Sequence, residues 1–192
     1  SPVGEVTRGE FGFVLDGRLN DSFKAANLLL AKNVEVRRAT TAGEGVRIGD
    51  FIVATSAADT ILAEVAQTTG VDFLALDTNV RNISQIIRPS RLGMYQRYYG
   101  GNMDEGWTRW LLEAFAFPHD TLMDTAITDG NLNDAYDVIV LPADGVARMT
   151  GEPSETSGRG GSRPEDYPPA YRSGFGDEGV AALEAFVKNG GT

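Results

Sequence analysis

The stretch Tyr136-Asp137-Val138-Ile139-Val140-Leu141 decides the fold class of the second half of the chain. It is the clearest strand pattern in the sequence, because apolar and mainly β-branched residues follow one another without interruption after Asp137. Continuous apolarity indicates a strand that is buried on both faces, as in a parallel sheet that helices cover. We therefore predict a layered α/β domain with a mostly parallel sheet built around this strand.

The elements before this strand fit the same domain. A strand is predicted at 92–95, and Asn102 and Glu105 have the spacing of a helix N-cap and its partner three residues on. The helix that follows has one apolar face, which we expect to pack on the core; it comprises Trp107, Trp110, Leu111, Ala114 and Phe115. A further strand is predicted at 121–123, and a loose turn or short helix at 126–132.

Residues 1–88 predict a separate, small α/β segment with the order β-α-β-β-β-α-β. Ser56 and Asp59 form the start signal of its second helix, and Gly70 stands where a C-terminal cap is expected. The strands are predicted at 12–15, 34–36, 46–48, 51–54 and 71–76, and the first helix at 20–32. Residues 79–90 have weak periodicity and predict a linker to the second domain, 89–192.

The final 42 positions, 151–192, combine a loop and a helix. Residues 151–176 are dense in Gly, Pro, Ser and charge, which predicts a long mobile loop. A last helix begins at Asp177 and faces inward with Val180, Leu183, Phe186 and Val187. A β-α-β unit needs a strand after its helix. We therefore expect that the domain is truncated, as a fragment of a longer protein, or that its final strand comes from elsewhere.

Composition narrows the classes of function. The chain has 192 residues, no cysteine, one histidine and a net charge of −10. Without cysteine there is no disulfide framework, iron–sulfur ligation or thiol nucleophile, and one histidine cannot form a two-histidine zinc site. A strongly acidic chain lacks the basic stripe that nucleic acid requires. No apolar run approaches the roughly 18–20 residues of a membrane span.

Several stretches carry a resemblance to a known family. In the second half they are 91–95, the run Met103-Asp104-Glu105-Gly106-Trp107-Thr108-Arg109-Trp110, Phe117-Pro118, 136–142 and 179–183. In the first half they are 13–15, 28–30, 34–40 and 49–53. The chain resembles the class I glutamine-amidotransferase-like, flavodoxin-like module appended to bacterial zinc carboxypeptidases of the carboxypeptidase A type. The first half resembles the segment that joins the peptidase domain to that module.

The resemblance implies a secreted or periplasmic parent protein that is a metallocarboxypeptidase, but neither catalytic apparatus lies in this chain. A zinc carboxypeptidase needs an H-x-x-E pair and a distant histidine, whereas the single His119 is followed by Asp120, Thr121 and Leu122. An active amidotransferase needs a cysteine nucleophile. The expectation is therefore a chain without catalytic residues, cofactor or metal, with zinc only in the peptidase domain of the same polypeptide.

A binding site is predicted where the strand at 92–95 ends, because open α/β sheets bind ligands at the carboxyl ends of their strands. Free amide groups at the start of the following helix would favour an anion. The site residues are Tyr98, Tyr99, Gly100, Gly101, Asn102, Asp104 and Glu105. Arg159, Arg163, Tyr167 and Tyr171 of the loop would form a partner-binding lid over the same rim.

Three functions remain open from the sequence. The first is a non-catalytic accessory or interaction module that packs on the peptidase domain or binds cell-wall peptide or glycan. The second is an independent hydrolase that uses Asp104 and Glu105, or Asp144, as carboxylates. The third is a flavodoxin-like domain that binds a small molecule without chemistry. Helix-dipole stabilisation explains Asp104 and Glu105 equally well, and His119 fits a loop position.

Overall fold

The computed structural model describes residues 3–98, 101–152, 168 and 171–192. Within these residues the chain is a mixed α/β protein with two sheets, which confirms the predicted α/β class. It divides into two compact units: the first comprises 1–89 and 114–117, and the second comprises 90–113 and 118–192.

Among its described residues, the first unit contains one five-stranded sheet, two α-helices and a short 3-10 helix at Arg81–Ile83. The sheet has the order β4-β1-β3-β2-β5 and is antiparallel throughout. Its strands are β1 Gly12–Leu15, β2 Val36–Ala39, β3 Phe51–Val53, β4 Leu74–Leu76 and β5 Ser84–Ile86, and its helices are α1 Asn20–Ala31 and α2 Asp59–Thr69.

The core of the first unit follows from the alternation of side chains along its strands. Phe13 and Val53 point to one face and pack with Leu29 of α1 and Leu62 of α2, all of them buried. The opposite face carries a second buried cluster of Val14, Ala39, Val46, Ile52, Leu76 and Val80. Both faces of this sheet are therefore covered.

The predicted linker is wrong, because residues 84–86 form β5 at the edge of this sheet. Ser84 is buried, and its hydroxyl group accepts a hydrogen bond from Arg37 Nε at 2.9 Å. Arg37 also donates to the Ser84 carbonyl oxygen at 2.8 Å. These bonds join residues 47 positions apart, which local periodicity cannot detect.

Two further predictions for this unit are corrected. No strand forms at 46–48, because Val46 is held in a tight turn with Gly43 and Arg47 donates its backbone N–H to the Asp50 side chain. Helix α2 begins at Asp59 and Ser56 does not cap it. Gly70 ends this helix with φ 72°, as predicted.

The second unit contains a three-stranded parallel sheet with the order β7-β6-β8. Its strands are β6 Leu92–Tyr95, β7 Asp120–Leu122 and β8 Val138–Val140. Its helices are α3 Met103–Ala114, α4 Asp124–Thr128, α5 Leu132–Ala135, α6 Val146–Thr150 and α7 Gly176–Lys188. The predicted strand at 92–95 and the parallel pairing of 136–141 are confirmed.

Burial in the second unit departs from the prediction at β8 and α7. The side chains of β8 are only half-buried, because β8 is an edge strand of the described sheet. Phe186 of α7 is buried as predicted, whereas Val180 and Val187 are exposed. Most of the predicted mobile loop, 153–167 and 169–170, lies outside the described residues.

Candidate functional site

The predicted binding site lies where the strand order of the second unit reverses. The chain passes from β6 to its neighbour β7 and then to β8 on the other side of β6. In an open parallel sheet, such a reversal opens a crevice at the carboxyl ends of the two strands concerned. The segments that follow β6 and β8 therefore meet at one rim of the sheet.

An ion pair joins these two segments. Arg97 Nε lies 2.5 Å from Asp144 Oδ2, and the two side chains are only 9% and 6% exposed. Arg97 Nη2 also donates to the carbonyl oxygen of Gly101 at 2.9 Å. Because a pair this deeply buried resists screening by salt, it fixes the segment after β6 against the segment after β8.

Asn102 and Asp104 are engaged in the same junction. Asn102 Oδ1 accepts hydrogen bonds from the backbone N–H groups of Asp104 at 2.8 Å and Glu105 at 3.4 Å, which confirms it as the N-cap of α3. Asn102 Nδ2 donates to the Ala143 carbonyl oxygen at 3.1 Å. Asp104 Oδ2 accepts the Ala143 N–H at 2.7 Å. These two side chains therefore join the start of α3 to the segment after β8 by hydrogen bonds.

Glu105 points away from this junction. Its side chain is almost buried and lies 2.5 Å from Arg109 one turn later on α3. Arg109 also donates to Thr121 Oγ1 at 2.9 Å and approaches His119 Nε2 at 3.4 Å. The carboxylates of Asp104 and Glu105 thus have separate partners on different segments, and the geometry does not bring them together as an acid–base pair.

The remaining predicted site residues are only partly placed. Tyr98 is exposed, and its ring meets the ring of Tyr171 edge to face with centroids 5.2 Å apart. Gly101 is exposed and has φ 45°. Tyr99 and Gly100 lie outside the described residues, as do Arg159, Arg163 and Tyr167 of the predicted lid.

The largest departure from the sequence analysis is the orientation of α3. Its apolar stripe, defined here as Met103, Trp107, Trp110 and Leu111, is exposed rather than packed on the core. Trp107 is 62% exposed and Trp110 is 57% exposed. The opposite side of the helix carries Glu105 and Arg109, whose ion pair occupies the covered face.

The orientation of α3 is the feature of this region that the sequence analysis missed. Helical periodicity identified the apolar stripe but not which side of α3 faces the sheet. The available signal was the second stripe, Glu105 and Arg109 at i and i+4, which forms an ion pair suited to a partly buried face. Large exposed apolar patches on a folded domain commonly mark interaction surfaces.

The described residues were compared with what a metal site and a membrane-spanning helix require. Among the described residues, no group of three or more His, Asp or Glu side chains is arranged to hold a metal ion. None of the helices in the described ranges has the length and apolarity of a membrane span. Comparison of the chain with protein-family models, curated proteins and solved structures found no match.

The hydrogen bonds between the start of α3 and the segment after β8 give a testable expectation. Replacing Asp104 by alanine removes the acceptor of the Ala143 N–H and should speed hydrogen exchange of that amide about fivefold, since such a bond contributes about 1 kcal/mol. Asp104→Asn keeps an acceptor oxygen and should leave the exchange rate close to that of the native chain. Equal rates in the native chain and both variants would contradict the structural role of Asp104.

Proposed function

We propose that this chain is a non-catalytic accessory module that docks on another protein domain through the apolar stripe of α3. Following the resemblance, the partner is the peptidase domain of an exported zinc carboxypeptidase-like protein, in the same polypeptide. The peptidase domain would hold the zinc and carry out proteolysis, in a secreted or periplasmic setting. The second unit would be its flavodoxin-like, amidotransferase-like layer.

The strand order supports the flavodoxin-like part of the proposal. In chain order the three strands of the second unit lie second, first, third across the sheet, all parallel. This is the start of the flavodoxin-like order 2-1-3-4-5. The antiparallel sheet of the first unit does not belong to that layout and would form the separate leading segment.

The exposed stripe of α3 is the observation that carries the docking proposal. Tryptophan is enriched at the centres of protein interfaces, where one residue often contributes 2 kcal/mol or more to binding. The rings of Trp107 and Trp110 meet at 86° with centroids 6.0 Å apart. Two exposed tryptophans on one helix face fit the centre of a protein interface.

The two tryptophans also provide the test, since the chain contains only these two. When the separately produced peptidase domain of a carboxypeptidase A type enzyme is added, their fluorescence should shift to the blue as water leaves the stripe. The double variant Trp107→Ala/Trp110→Ala should raise the dissociation constant at least 30-fold in calorimetry, the equivalent of about 2 kcal/mol.

The control variant is Ile48→Ala, because Ile48 is similarly exposed but lies in the first unit. It should bind as the native chain does. All three substitutions replace exposed side chains, so the variants should unfold at nearly the native temperature. Absence of the fluorescence shift, or equal affinity of the native chain and the double variant, would rule out docking through α3.

A further inference from the structure

The first unit contains a half-buried arginine, Arg38, that lies against two aromatic rings. Arg38 of β2 is directly opposite Phe51 of β3, and directly opposed residues of antiparallel strands have their side chains on the same face of the sheet. The guanidinium carbon of Arg38 lies 4.1 Å from the centroid of the Phe51 ring and 4.9 Å from the centroid of the Phe23 ring of α1. These contacts hold the guanidinium group in a defined place.

The positive charge of Arg38 has no anionic partner in the part of the chain that the structure describes. Burial lowers the pKa of the Arg38 guanidinium group, because water no longer solvates its charge fully. Among the described residues this group makes neither a hydrogen bond nor an ion pair. An aromatic ring attracts the charge, but it offers no oxygen atom to the five N–H donors of a guanidinium group. An external acceptor would therefore stabilise Arg38.

Gly49, in the turn before β3, leaves an open space beside the donors of Arg38. A Cβ atom at Gly49 would lie 3.3 Å from Arg38 Nη2 and 3.8 Å from Arg38 Nε, and these would be its two nearest neighbours. Nε and Nη2 form one donor edge of the guanidinium group, and such an edge can bind both oxygen atoms of one carboxylate. A ligand oxygen in this space would be within hydrogen-bond reach of both nitrogen atoms.

The charges next to Arg38 favour a ligand with a single negative charge. Asp16 pairs with Arg18 at 2.8 Å and with Arg47 at 2.9 Å. Asp50 pairs with Arg47 at 3.2 Å. These two acids and two bases balance in charge, so the charge of Arg38 remains uncompensated. Asp50 also interacts electrostatically with Arg38, and it would repel a dianion such as phosphate more strongly than a monoanion.

We propose that Arg38 and Gly49 form a binding site for a carboxylate group. The carboxylate lies in the space over Gly49 and accepts hydrogen bonds from Nε and Nη2 of Arg38, while Phe23 and Phe51 keep the guanidinium group in position. A planar monoanion matches both the planar donor edge and the single uncompensated charge. The carboxylate belongs either to a free small acid or to an acidic side chain of a peptide. This site lies in the first unit, and the inference does not depend on docking through α3.

Two glycine variants of the full chain test the site by titration with acetate, followed through the NMR signal of the backbone amide at position 49. In the native chain we expect saturation with a dissociation constant of about 1 mM, the affinity that two charge-assisted hydrogen bonds provide. Gly49→Ala fills the space and should raise this constant at least tenfold. Gly45→Ala is the matched control, because Gly45 also has a positive φ, 74°, but a Cβ atom there would have nothing within 4 Å. It should bind acetate as the native chain does.

A second pair of variants keeps the test decisive if Gly49→Ala does not fold. Arg38→Lys retains the positive charge but loses the two-nitrogen edge, so it should also raise the dissociation constant at least tenfold. Arg81→Lys changes an exposed arginine of the same unit and should have no effect. Unchanged affinity in Arg38→Lys, the absence of saturable shifts in the native chain, or tighter binding of phosphate than of acetate would overturn the proposal.

The source of the carboxylate is distinguished with the blocked peptide acetyl-Gly-Asp-Gly-amide, titrated in the same way. Tighter binding than that of acetate, lost in Arg38→Lys, assigns the site to an acidic side chain of a peptide. Equal or weaker binding assigns it to a free small acid. None of these outcomes bears on binding through Trp107 and Trp110, which lie on α3 of the second unit.

Discussion

Replacing Asp50 by alanine is expected to lower the free energy of unfolding of the first unit by about 3 kcal/mol. The Asp50 side chain is 2% exposed and accepts hydrogen bonds from two backbone N–H groups and from the Arg47 guanidinium group. Its Oδ1 accepts the Gly17 N–H at 2.9 Å, and its Oδ2 accepts the Arg47 N–H at 2.8 Å. Arg47 Nη2 adds an ion pair at 3.2 Å. Alanine would remove the acceptor of the Gly17 and Arg47 N–H groups at the point where the turns before α1 and β3 meet, whereas the Arg47 guanidinium group keeps its ion pair with Asp16 at 2.9 Å.

The two turns are in close contact, so the backbone cannot easily shift to reduce the loss of stability in Asp50→Ala. A Cβ atom at Gly17 would collide with the carbonyl oxygen of Gly49, so the backbones already touch. The backbone therefore has little freedom to bring the Gly17 N–H to another acceptor. Urea titration measures the change in the free energy of unfolding. Hydrogen exchange of the Gly17 amide reports whether the loss is local to this turn.

The matched control for Asp50 is Asp72→Ala. Asp72 also accepts one backbone hydrogen bond, from the Glu5 N–H at 2.9 Å, but its side chain is exposed. Water can replace an exposed acceptor, so the expected loss is below about 1 kcal/mol. If both variants lost the same stability, burial would not be the reason why Asp50 matters.

Local sequence signals predicted those elements whose structure depends only on residues close in sequence. Leu92–Tyr95 is a strand with the predicted bounds, and Gly70 ends α2 in the left-handed conformation. Asn33 ends the turn after α1 with φ 58°. In each case a short apolar run, or a residue tolerant of positive φ, suffices without help from distant residues.

Prediction failed where distant partners decide the outcome. Strand β5 was missed because its pairing with β2 depends on bonds from Arg37 to Ser84. Strand β8 was predicted to be buried on both faces, but its burial depends on which strand lies beside it. An apolar run therefore predicts that a strand exists more reliably than its place in the sheet.

The elements that frame the candidate site were predictable, but the partners of its side chains were not. The N-cap at Asn102 and the carboxyl end of β6 follow from local spacing. The roles of Asp104 and Glu105 do not, because each is set by a partner elsewhere: Ala143 for one and Arg109 for the other. Periodicity also leaves the rotation of α3 about its axis undetermined, so the exposed tryptophans had been assigned to the core.

Replacing Tyr95 by alanine is expected to lower the free energy of unfolding of the second unit by about 4 kcal/mol. Tyr95 is fully buried at the end of β6, and its ring meets Phe175 edge to face with centroids 5.3 Å apart. Its hydroxyl group donates to Asp124 Oδ1 at 2.6 Å, while Asp124 Oδ2 accepts the Gly174 N–H at 2.9 Å. Alanine would leave a cavity and remove one donor from a carboxylate that anchors 174–175.

The control for this cavity effect is Tyr98→Ala, three positions along the chain. Tyr98 is also in an edge-to-face pair, but its ring is half exposed, so its loss should cost less than about 1 kcal/mol. Urea titration of both variants gives the comparison. A similar loss in the two would mean that aromatic pairing rather than burial stabilises this end of the sheet.

Tyr95→Phe separates the hydroxyl group from the ring and adds a dependence on pH. Burial raises the pKa of the Tyr95 phenol above its ordinary value, and the hydrogen bond to Asp124 raises it further. In the unfolded chain the phenol ionises near pH 10. Above that pH the unfolded chain loses a proton that the folded chain retains, so stability should fall with rising pH. The fall should be smaller in Tyr95→Phe, which has no proton to lose, and identical slopes above pH 10 would contradict a buried, neutral phenol.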